Sequence, residues 1–147
     1  MEILFSEIDG VNIFPVRTIP DERGTVFKPR HAPFQVNDVY ATTVRHGAIK
    51  AWHGYETKSL YWTVLSGLVK LALYDNRPQS PTYKIFETIY LGEDSNYSVL
   101  VPPGVYNGFK GITTSPSIVL VQADELYNQI YRLPYDSLDY DWNISNG

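Results

Sequence analysis

The sequence predicts an all-β protein, and three observations lead to that prediction. Residues that favour pleated sheets are abundant, because Val, Ile, Thr, Tyr, Phe and Trp together supply 55 of the 147 residues. The strongest helix formers are scarce, with six alanines and one methionine. Ten glycines and ten prolines separate short runs of strand-type residues. About ten such strands with close turns indicate a sandwich or a barrel.

In the N-terminal half, turn residues divide the chain into short strands. Asp9-Gly10 precedes the first strand, Asp21-Glu22-Arg23-Gly24 predicts a tight turn before the second, and His46-Gly47 ends the third. The predicted strands of this half are Val11–Val16, Thr25–Phe27, Val39–Val44, Ala48–Tyr55 and Leu60–Leu65.

In the C-terminal half, the run Leu68–Tyr74 alternates as expected for a strand with one buried face. Its apolar face holds Val69, Leu71 and Leu73, and its other face holds Lys70 and Tyr74. The further predicted elements are a polar loop over Asn76–Pro81, strands over Tyr83–Leu91, Tyr97–Val101 and Ser117–Gln122, and a turn over Gly92–Asn96. The tail from Asp124 has no strand pattern, and at most a short helical turn is expected there.

Composition excludes several kinds of site. The chain has no cysteine, which rules out disulfides, thiolate nucleophiles and zinc knuckles. No apolar run reaches the roughly 18 residues of a membrane helix, and the first residues lack the charge and apolar stretch of a signal peptide. We therefore expect a cytoplasmic protein that binds no membrane and, with a net charge of −4, no nucleic acid.

The charge is unevenly distributed. Residues 17–58 carry seven Lys or Arg against four Asp or Glu, whereas the segments on both sides are acidic. A basic segment in an acidic protein suits a small anion such as a phosphate ester. Chance variation in surface charge is the alternative explanation.

Among the three histidines, His53 is the candidate for chemistry. His31 and His46 fall in predicted loops and are expected to face solvent, whereas His53 lies inside a predicted strand. Strand alternation places three further residues on its face, namely Ile49, Ala51 and Tyr55. An imidazole inside a small barrel can act as a general base, because its reference pKa is about 6.5. A structural histidine is the alternative.

A set of spaced residues resembles the two-part signature of the cupin superfamily: Gly47, His53, Gly67, Pro102, Gly104 and Asn107. The resemblance implies a double-stranded β-helix, that is a jelly-roll barrel, here one cupin-like domain over residues 1–147 with a short C-terminal tail. In metal-binding cupins, the ligand positions hold three histidines and a glutamate. The same positions here hold His53, Tyr55, Leu60 and Asn107. One imidazole does not make a transition-metal site, so we expect no metal and no cofactor.

A longer series of motifs runs in order along nearly the whole chain. Its parts are Asp21-x-Arg23-Gly24, Gly47-x-x-Lys50-x-Trp52-His53, Ser66-Gly67, Tyr74-Asp75-x-Arg77-x-x-Ser80-Pro81-Thr82, Leu91-Gly92-Glu93-Asp94, Val101-Pro102-Pro103-Gly104-x-x-Asn107-Gly108-Phe109 and the ending Arg132-Leu133-Pro134-Tyr135-Asp136 with Tyr140-Asp141-Trp142. This series resembles the dTDP-4-dehydrorhamnose 3,5-epimerase family. The resemblance implies a metal-free cupin that binds a nucleotide-diphosphate sugar and epimerises a 4-keto-6-deoxyhexose.

The resemblance also implies roles for individual residues. The family's histidine base falls on His53, and the carboxylate that orients the base falls on Asp136. The diphosphate arginine falls on Arg23, within an arm that reaches a neighbouring subunit in the homodimer that the family forms. The other expected substrate-binding residues are Lys50, Arg45, Tyr55, Tyr106 and Asn107. Asp75 and Arg77 are expected to form a structural ion pair.

Whether Lys50 and His53 can line one site depends on the geometry of their strand. They face opposite sides in a regular strand, so both can line one site only if a bulge or bend lies between them.

Several family positions differ here. Leu60 replaces the lysine that stabilises an enolate, Leu120 or Val121 replaces the tyrosine acid, and Lys28 replaces a glutamate. The tyrosines that could supply the acid instead are Tyr55, Tyr61, Tyr106 and Tyr127. These differences leave three hypotheses: epimerisation at C3, C5 or both, a 3,4-ketoisomerase, and a catalytically inert binder of nucleotide sugars.

Overall fold

The structure, a computed structural model, describes residues 4–92, 97–126 and 130–144 and confirms the all-β prediction. Within these ranges it contains thirteen strands and no helix. The first seven strands are β1 (Leu4–Phe5), β2 (Asn12–Pro15), β3 (Arg17–Asp21), β4 (Gly24–Lys28), β5 (Asp38–Val44), β6 (Ile49–Tyr55) and β7 (Leu60–Ser66). The others are β8 (Leu68–Asp75), β9 (Phe86–Gly92), β10 (Tyr97–Val101), β11 (Val105–Gly111), β12 (Ser117–Ala123) and β13 (Ile130–Arg132). No described segment is a helix able to span a membrane.

Two antiparallel sheets form the predicted jelly roll. One has the strand order β1-β2-β10-β7-β12-β5, and the other has the order β13-β6-β11-β8-β9. From β5 to β13, the chain passes from one sheet to the other after every strand except β8, so each sheet combines segments that are distant in sequence. Strands β3 and β4 pair only with each other and form a separate hairpin arm. The arm turns at Glu22-Arg23, where the tight turn was predicted.

The main core lies between the two sheets. Val69, Leu71 and Leu73 of β8 are fully buried there, as their alternation predicted. The opposite face of β8 is also covered, because the C-terminal tail packs across it. Lys70 is only 6% exposed, and its Nζ donates hydrogen bonds to the carbonyl oxygens of Asp141 (2.8 Å) and Asn143 (2.9 Å). Strand β8 is therefore buried on both faces over most of its length.

A second apolar cluster joins the tail to the outer face of this sheet. The rings of Trp52 and Trp142 lie 5.2 Å apart, and Tyr140 packs edge-on against Trp52 at 5.6 Å. Ile49 and Ala51 pack against this cluster. They therefore do not share the inner face with His53, and that part of the alternation prediction was wrong.

Four of the observed strands were not predicted from the sequence: β1, β3, β11 and β13. Strand β11 contains Asn107, Gly108 and Gly111, which have low strand propensity, yet it pairs with β6 and β8 in the middle of its sheet. Gly108 is required there, because a Cβ would lie 2.3 Å from the Cβ of Ala51. Strand β13 exists because it pairs with the edge of β6.

One predicted strand begins later than expected. Strand β9 starts at Phe86 rather than at Tyr83, because Lys84 adopts φ = 71° within a turn. Hydrogen bonds from Tyr83 N to Ser80 O and from Lys84 N to Asp75 O hold this turn. Of the turn predicted over Gly92–Asn96, residues 93–96 lie outside the described ranges.

Candidate active site

A cavity of about 270 Å³ opens between the two sheets and contains His53. Its polar lining residues are Tyr40, Thr42, Lys50, His53, Tyr55 and Asn107, and its apolar lining residues are Leu60, Trp62, Phe109, Val121 and Ile130. Strand β5 supplies Tyr40 and Thr42, whereas β6 and β11 supply the residues opposite. The lining therefore combines apolar residues with polar groups from both sheets.

A β-bulge in β6 brings Lys50 and His53 to the same cavity. His53 pairs with Asn107 and Lys50 pairs with Phe109, so two residues of β6 face the single residue Gly108 of β11. Because of the extra residue, the side chain of Lys50 lies on the same side of β6 as that of His53. This is the bulge that a site shared by the two residues was expected to require. Lys50 Nζ donates a hydrogen bond to Thr42 Oγ1 across the cavity at 3.1 Å.

His53 is half-buried, and its surroundings favour the neutral imidazole. Burial lowers its pKa below the reference value of 6.5, and the positive charges of Arg132 and Lys50 lower it further. At pH 7 the ring is therefore mostly uncharged and can accept a proton. Asn107 Nδ2 donates a hydrogen bond to the His53 carbonyl oxygen at 3.2 Å, which ties the two neighbouring strands together at this point.

Asp136 is exposed in the turn that follows β13. Among the described residues, no hydrogen bond joins Asp136 to His53, and the charges that act on the imidazole are cationic. The chain after Arg132 continues along β6, where Leu133 and Trp52 exchange backbone hydrogen bonds of 3.0 and 2.8 Å. The structure therefore does not bring the two predicted partners together, and the dyad stays a prediction.

Two tyrosines form a hydrogen-bonded pair on the cavity wall. The hydroxyl groups of Tyr40 and Tyr55 share a hydrogen bond. Burial raises the pKa of Tyr40 to about 12, and the neighbouring Tyr55 adds to the increase. Lys58 Nζ lies 5.0 Å from the centre of the Tyr55 ring, and it also lies 3.7 Å from Asp38 Oδ2. This places a buried cation beside the Tyr55 ring.

Other predicted site residues lie outside the cavity. Arg23 is at the tip of the β3–β4 arm, with 83% of its side chain exposed and its Nη2 2.6 Å from Asp21 Oδ2. Arg45 lies in the exposed connection between β5 and β6. Tyr106 is on the outer face of its sheet, where its ring covers Gly54 so closely that a Cβ there would lie 2.4 Å away.

The remaining predictions have mixed outcomes. His31 and His46 are exposed, as expected. Asp75 and Arg77 form the predicted ion pair at 2.8 Å. Tyr61 is buried in the core rather than in the cavity, and Tyr127 lies outside the described ranges.

Four residues in or near the cavity were not predicted from the sequence. Tyr40 and Thr42 line it. Lys58 lies over the Tyr55 ring, and the charge of Arg132 acts on His53. Arg132 begins the C-terminal motif Arg132-Leu133-Pro134-Tyr135-Asp136. Strand β13 pairs Arg132 with His53 of β6, which explains why its charge lowers the pKa of His53. A strand assignment in the tail would have revealed it. The others come from chain segments that only the sheet pairing brings together.

This chain is similar to known proteins in sequence and in structure. The sequence profile of the dTDP-4-dehydrorhamnose 3,5-epimerase family matches residues 6–145. The probable low-salt glycan biosynthesis epimerase Agl13 of Haloferax volcanii is 27% identical over 148 residues, with 92% of this chain and 95% of that protein covered. The spore coat polysaccharide biosynthesis protein SpsL of Bacillus subtilis is 30% identical over 103 residues, with 66% of this chain and 68% of that protein covered.

A solved structure has the same fold. The dTDP sugar isomerase from Desulfovibrio desulfuricans G20 superimposes with a TM-score of 0.86 at 27% identity. The superposition covers 92% of each chain. The similarity of fold therefore extends over most of both chains.

Proposed function

The chain belongs to the dTDP-4-dehydrorhamnose 3,5-epimerase family, and from that premise we propose that it epimerises a nucleotide-linked 4-keto-6-deoxy sugar. In the proposed reaction, His53 removes the proton from C3 or C5, next to the ketone. The ketone makes this proton acidic, because the electron pair left on carbon is delocalised onto the carbonyl oxygen as an enolate.

The observation that carries the proposal is the neutral, half-buried imidazole of His53 inside the cavity. A base that is uncharged at pH 7 and shielded from bulk water can accept a proton from carbon. Lys50 and Arg132 are the cations closest to its charge, and they favour both a developing enolate and a bound diphosphate. The Asp136 dyad is not needed for this first step.

We also propose that the active form is a homodimer in which the β3–β4 arm contacts a second copy. The arm forms its own two-stranded sheet, and Ile19 and Val26 lie side by side on it. They are 43% and 55% exposed, and an exposed apolar pair of this kind is suited to contact with another protein surface. A second copy that covers this pair would bring Arg23 towards the diphosphate of a ligand in the neighbouring cavity.

A 3,4-ketoisomerase is the second candidate function. Leu60 and Val121 are apolar and line the cavity. The resemblance places the family's lysine at Leu60 and its tyrosine at Leu120 or Val121, and the loss of both groups favours this candidate. A ketoisomerase moves a proton between neighbouring carbons on one face, so a single base suffices. The two candidates differ in product, because only the ketoisomerase moves the ketone from C4 to C3.

The test is proton exchange in deuterium oxide with dTDP-4-keto-6-deoxyglucose, followed by NMR. We expect the wild type to exchange the protons beside the ketone, and we expect His53→Asn to lose at least about 100-fold of the exchange rate. His53→Asn should keep its circular dichroism spectrum and its affinity for dTDP. Because the pKa of His53 is lowered, wild-type exchange should stay high at pH 7 and fall only below about pH 6.5 as the ring gains a proton. Exchange at the wild-type rate in His53→Asn would exclude His53 as the base.

A further inference from the structure

We propose that Tyr55 is the acid of this reaction and delivers a proton to the sugar carbon on the face opposite to His53. The inference rests on the proposed function and deepens it, since inversion at carbon needs an acid as well as a base. Among the described residues that line the cavity, the hydroxyl groups are those of Tyr40, Thr42 and Tyr55. None of the lining residues is a carboxylic acid.

The hydrogen bonds in the cavity distinguish the three hydroxyl groups. Thr42 Oγ1 accepts a hydrogen bond from Lys50 Nζ at 3.1 Å, and an aliphatic hydroxyl is a much weaker acid than a phenol. Tyr40 and Tyr55 share a hydrogen bond, and burial raises the pKa of Tyr40 to about 12, which makes Tyr40 the weaker acid of the two. Tyr55 lies on the same strand as His53, two residues away, and the charge of Arg132 opposes the rise of its pKa.

The spacing of Tyr55 and His53 suits attack on two faces of one ring. They are two residues apart on β6 and face the same side, and their Cα atoms are separated by about 6.6–6.8 Å along the strand, which leaves room for a ring between the two side chains. A base and an acid that act on one carbon from opposite faces each approach to about 2.6–3.2 Å, so they stand roughly 5–6.5 Å apart. Strand β13 fixes both positions by pairing Ile130 with Tyr55 and Arg132 with His53.

The surroundings of Tyr55 favour proton donation. Burial raises its pKa, so the phenol stays protonated at pH 7, whereas the charge of Arg132 and the hydrogen bond with Tyr40 act in the opposite direction. Both stabilise the phenolate that forms once the proton has left. The Lys58 ammonium, 5.0 Å from the ring centre, adds positive charge on the far side. Tyr40 and Lys58 therefore act as positioning residues for the acid.

The proton balance closes without any further reactant. His53 takes the proton from carbon, and the C–H electron pair becomes the carbon–carbon double bond of the enolate. The enolate then takes the hydroxyl proton of Tyr55 at the same carbon from the other face, which restores the ketone and leaves a phenolate. The proton on His53 passes through water to the phenolate, so both side chains return to their starting states.

The experiment separates exchange from inversion in deuterium oxide with dTDP-4-keto-6-deoxyglucose. We expect Tyr55→Phe still to exchange the protons beside the ketone. In deuterium oxide, His53 trades the proton it has taken for a deuteron and returns that deuteron to the same face of the sugar. Inversion should fall by at least about 100-fold. Tyr83→Phe is the matched control, because Tyr83 lies in the turn before β9, outside the residues that line the cavity, and it should invert at the wild-type rate.

A second variant tests the hydroxyl pair without removing the acid. Tyr40→Phe removes the hydrogen bond to Tyr55, which should raise the pKa of Tyr55 and move the high-pH decline of the inversion rate to higher pH. If the inversion rate of Tyr40→Phe declines at the same pH as that of the wild type, the proposed role of the Tyr40–Tyr55 pair is contradicted.

The outcomes distinguish the two proposals. Inversion by Tyr55→Phe at the wild-type rate, or a folded Tyr55→Phe that binds dTDP but loses exchange and inversion together, would overturn the assignment of Tyr55. A wild type that exchanges but never inverts would overturn it too. A wild type that binds the sugar nucleotide tightly without any exchange would instead overturn the proposed function.

Discussion

Replacing Asp75 with asparagine should destabilise the fold through a single buried ion pair. The Asp75 side chain is fully buried and accepts hydrogen bonds from Arg77 Nε (2.8 Å), Ser80 Oγ (2.6 Å) and Thr82 Oγ1 (2.7 Å). Burial opposes its ionisation, but these hydrogen bonds outweigh burial and lower its pKa. Asp75→Asn places an NH₂ group against these donors and leaves the Arg77 guanidinium without its counter-charge.

The expected loss can be worked from this geometry. Removal of one partner of a buried ion pair costs about 3–5 kcal/mol. Because 25% of the Arg77 side chain remains exposed, water partly solvates the guanidinium, and we expect the lower end, about 3 kcal/mol. For a chain of this length, each 1 kcal/mol lowers Tm by about 2–4 °C, so Tm should fall by about 6–12 °C.

Thermal unfolding followed by circular dichroism measures this effect. Asp21→Asn is the matched control, because Asp21 forms its ion pair with Arg23 on the exposed arm, and its Tm should match the wild type. The pKa of Asp75 is lowered in the folded state, so its contribution is present above the unfolded pKa of about 3.9 and is lost as the pH falls through the lower folded value. The Tm difference should therefore be full at pH 7 and narrow below about pH 4. A Tm for Asp75→Asn within about 2 °C of the wild type at pH 7 would refute the reasoning.

Two further predictions concern the arm. Arg23→Ala should weaken dTDP binding about tenfold or more, as measured by calorimetry, because a charge-assisted contact contributes about 1.5–3 kcal/mol. The control is Lys84→Ala, which removes a cation from the loop before β9. Unchanged affinity in Arg23→Ala would show that Arg23 has a structural role instead. The double substitution Ile19→Asp with Val26→Asp should convert the dimer to a monomer in light scattering, because it places charge on the exposed apolar pair. A wild type that is itself monomeric at micromolar concentration would contradict the dimer.

The family, the all-β class and most strands could be predicted from the sequence. The alternation of Val69, Leu71 and Leu73 predicts the buried face of β8, because successive side chains of a strand point to opposite faces of the sheet. The tight turn at Glu22-Arg23 and the Asp75–Arg77 pair are local as well, since their partners are at most a few residues apart. The identity of His53 as the candidate base also needed only its place in a motif.

The tertiary structure decided how these parts meet. Strands β11 and β13 have weak strand signals of their own and form because neighbours in the sheets satisfy their backbone hydrogen bonds. The bulge opposite Gly108 turns Lys50 to the side of His53, which strand alternation alone places on the other face. Tyr40 reaches Tyr55 only because β5 and β6 belong to facing sheets. Local patterns depend on the chain's own geometry, whereas the cavity depends on contacts between segments far apart in sequence, and those are fixed only when the two sheets pack.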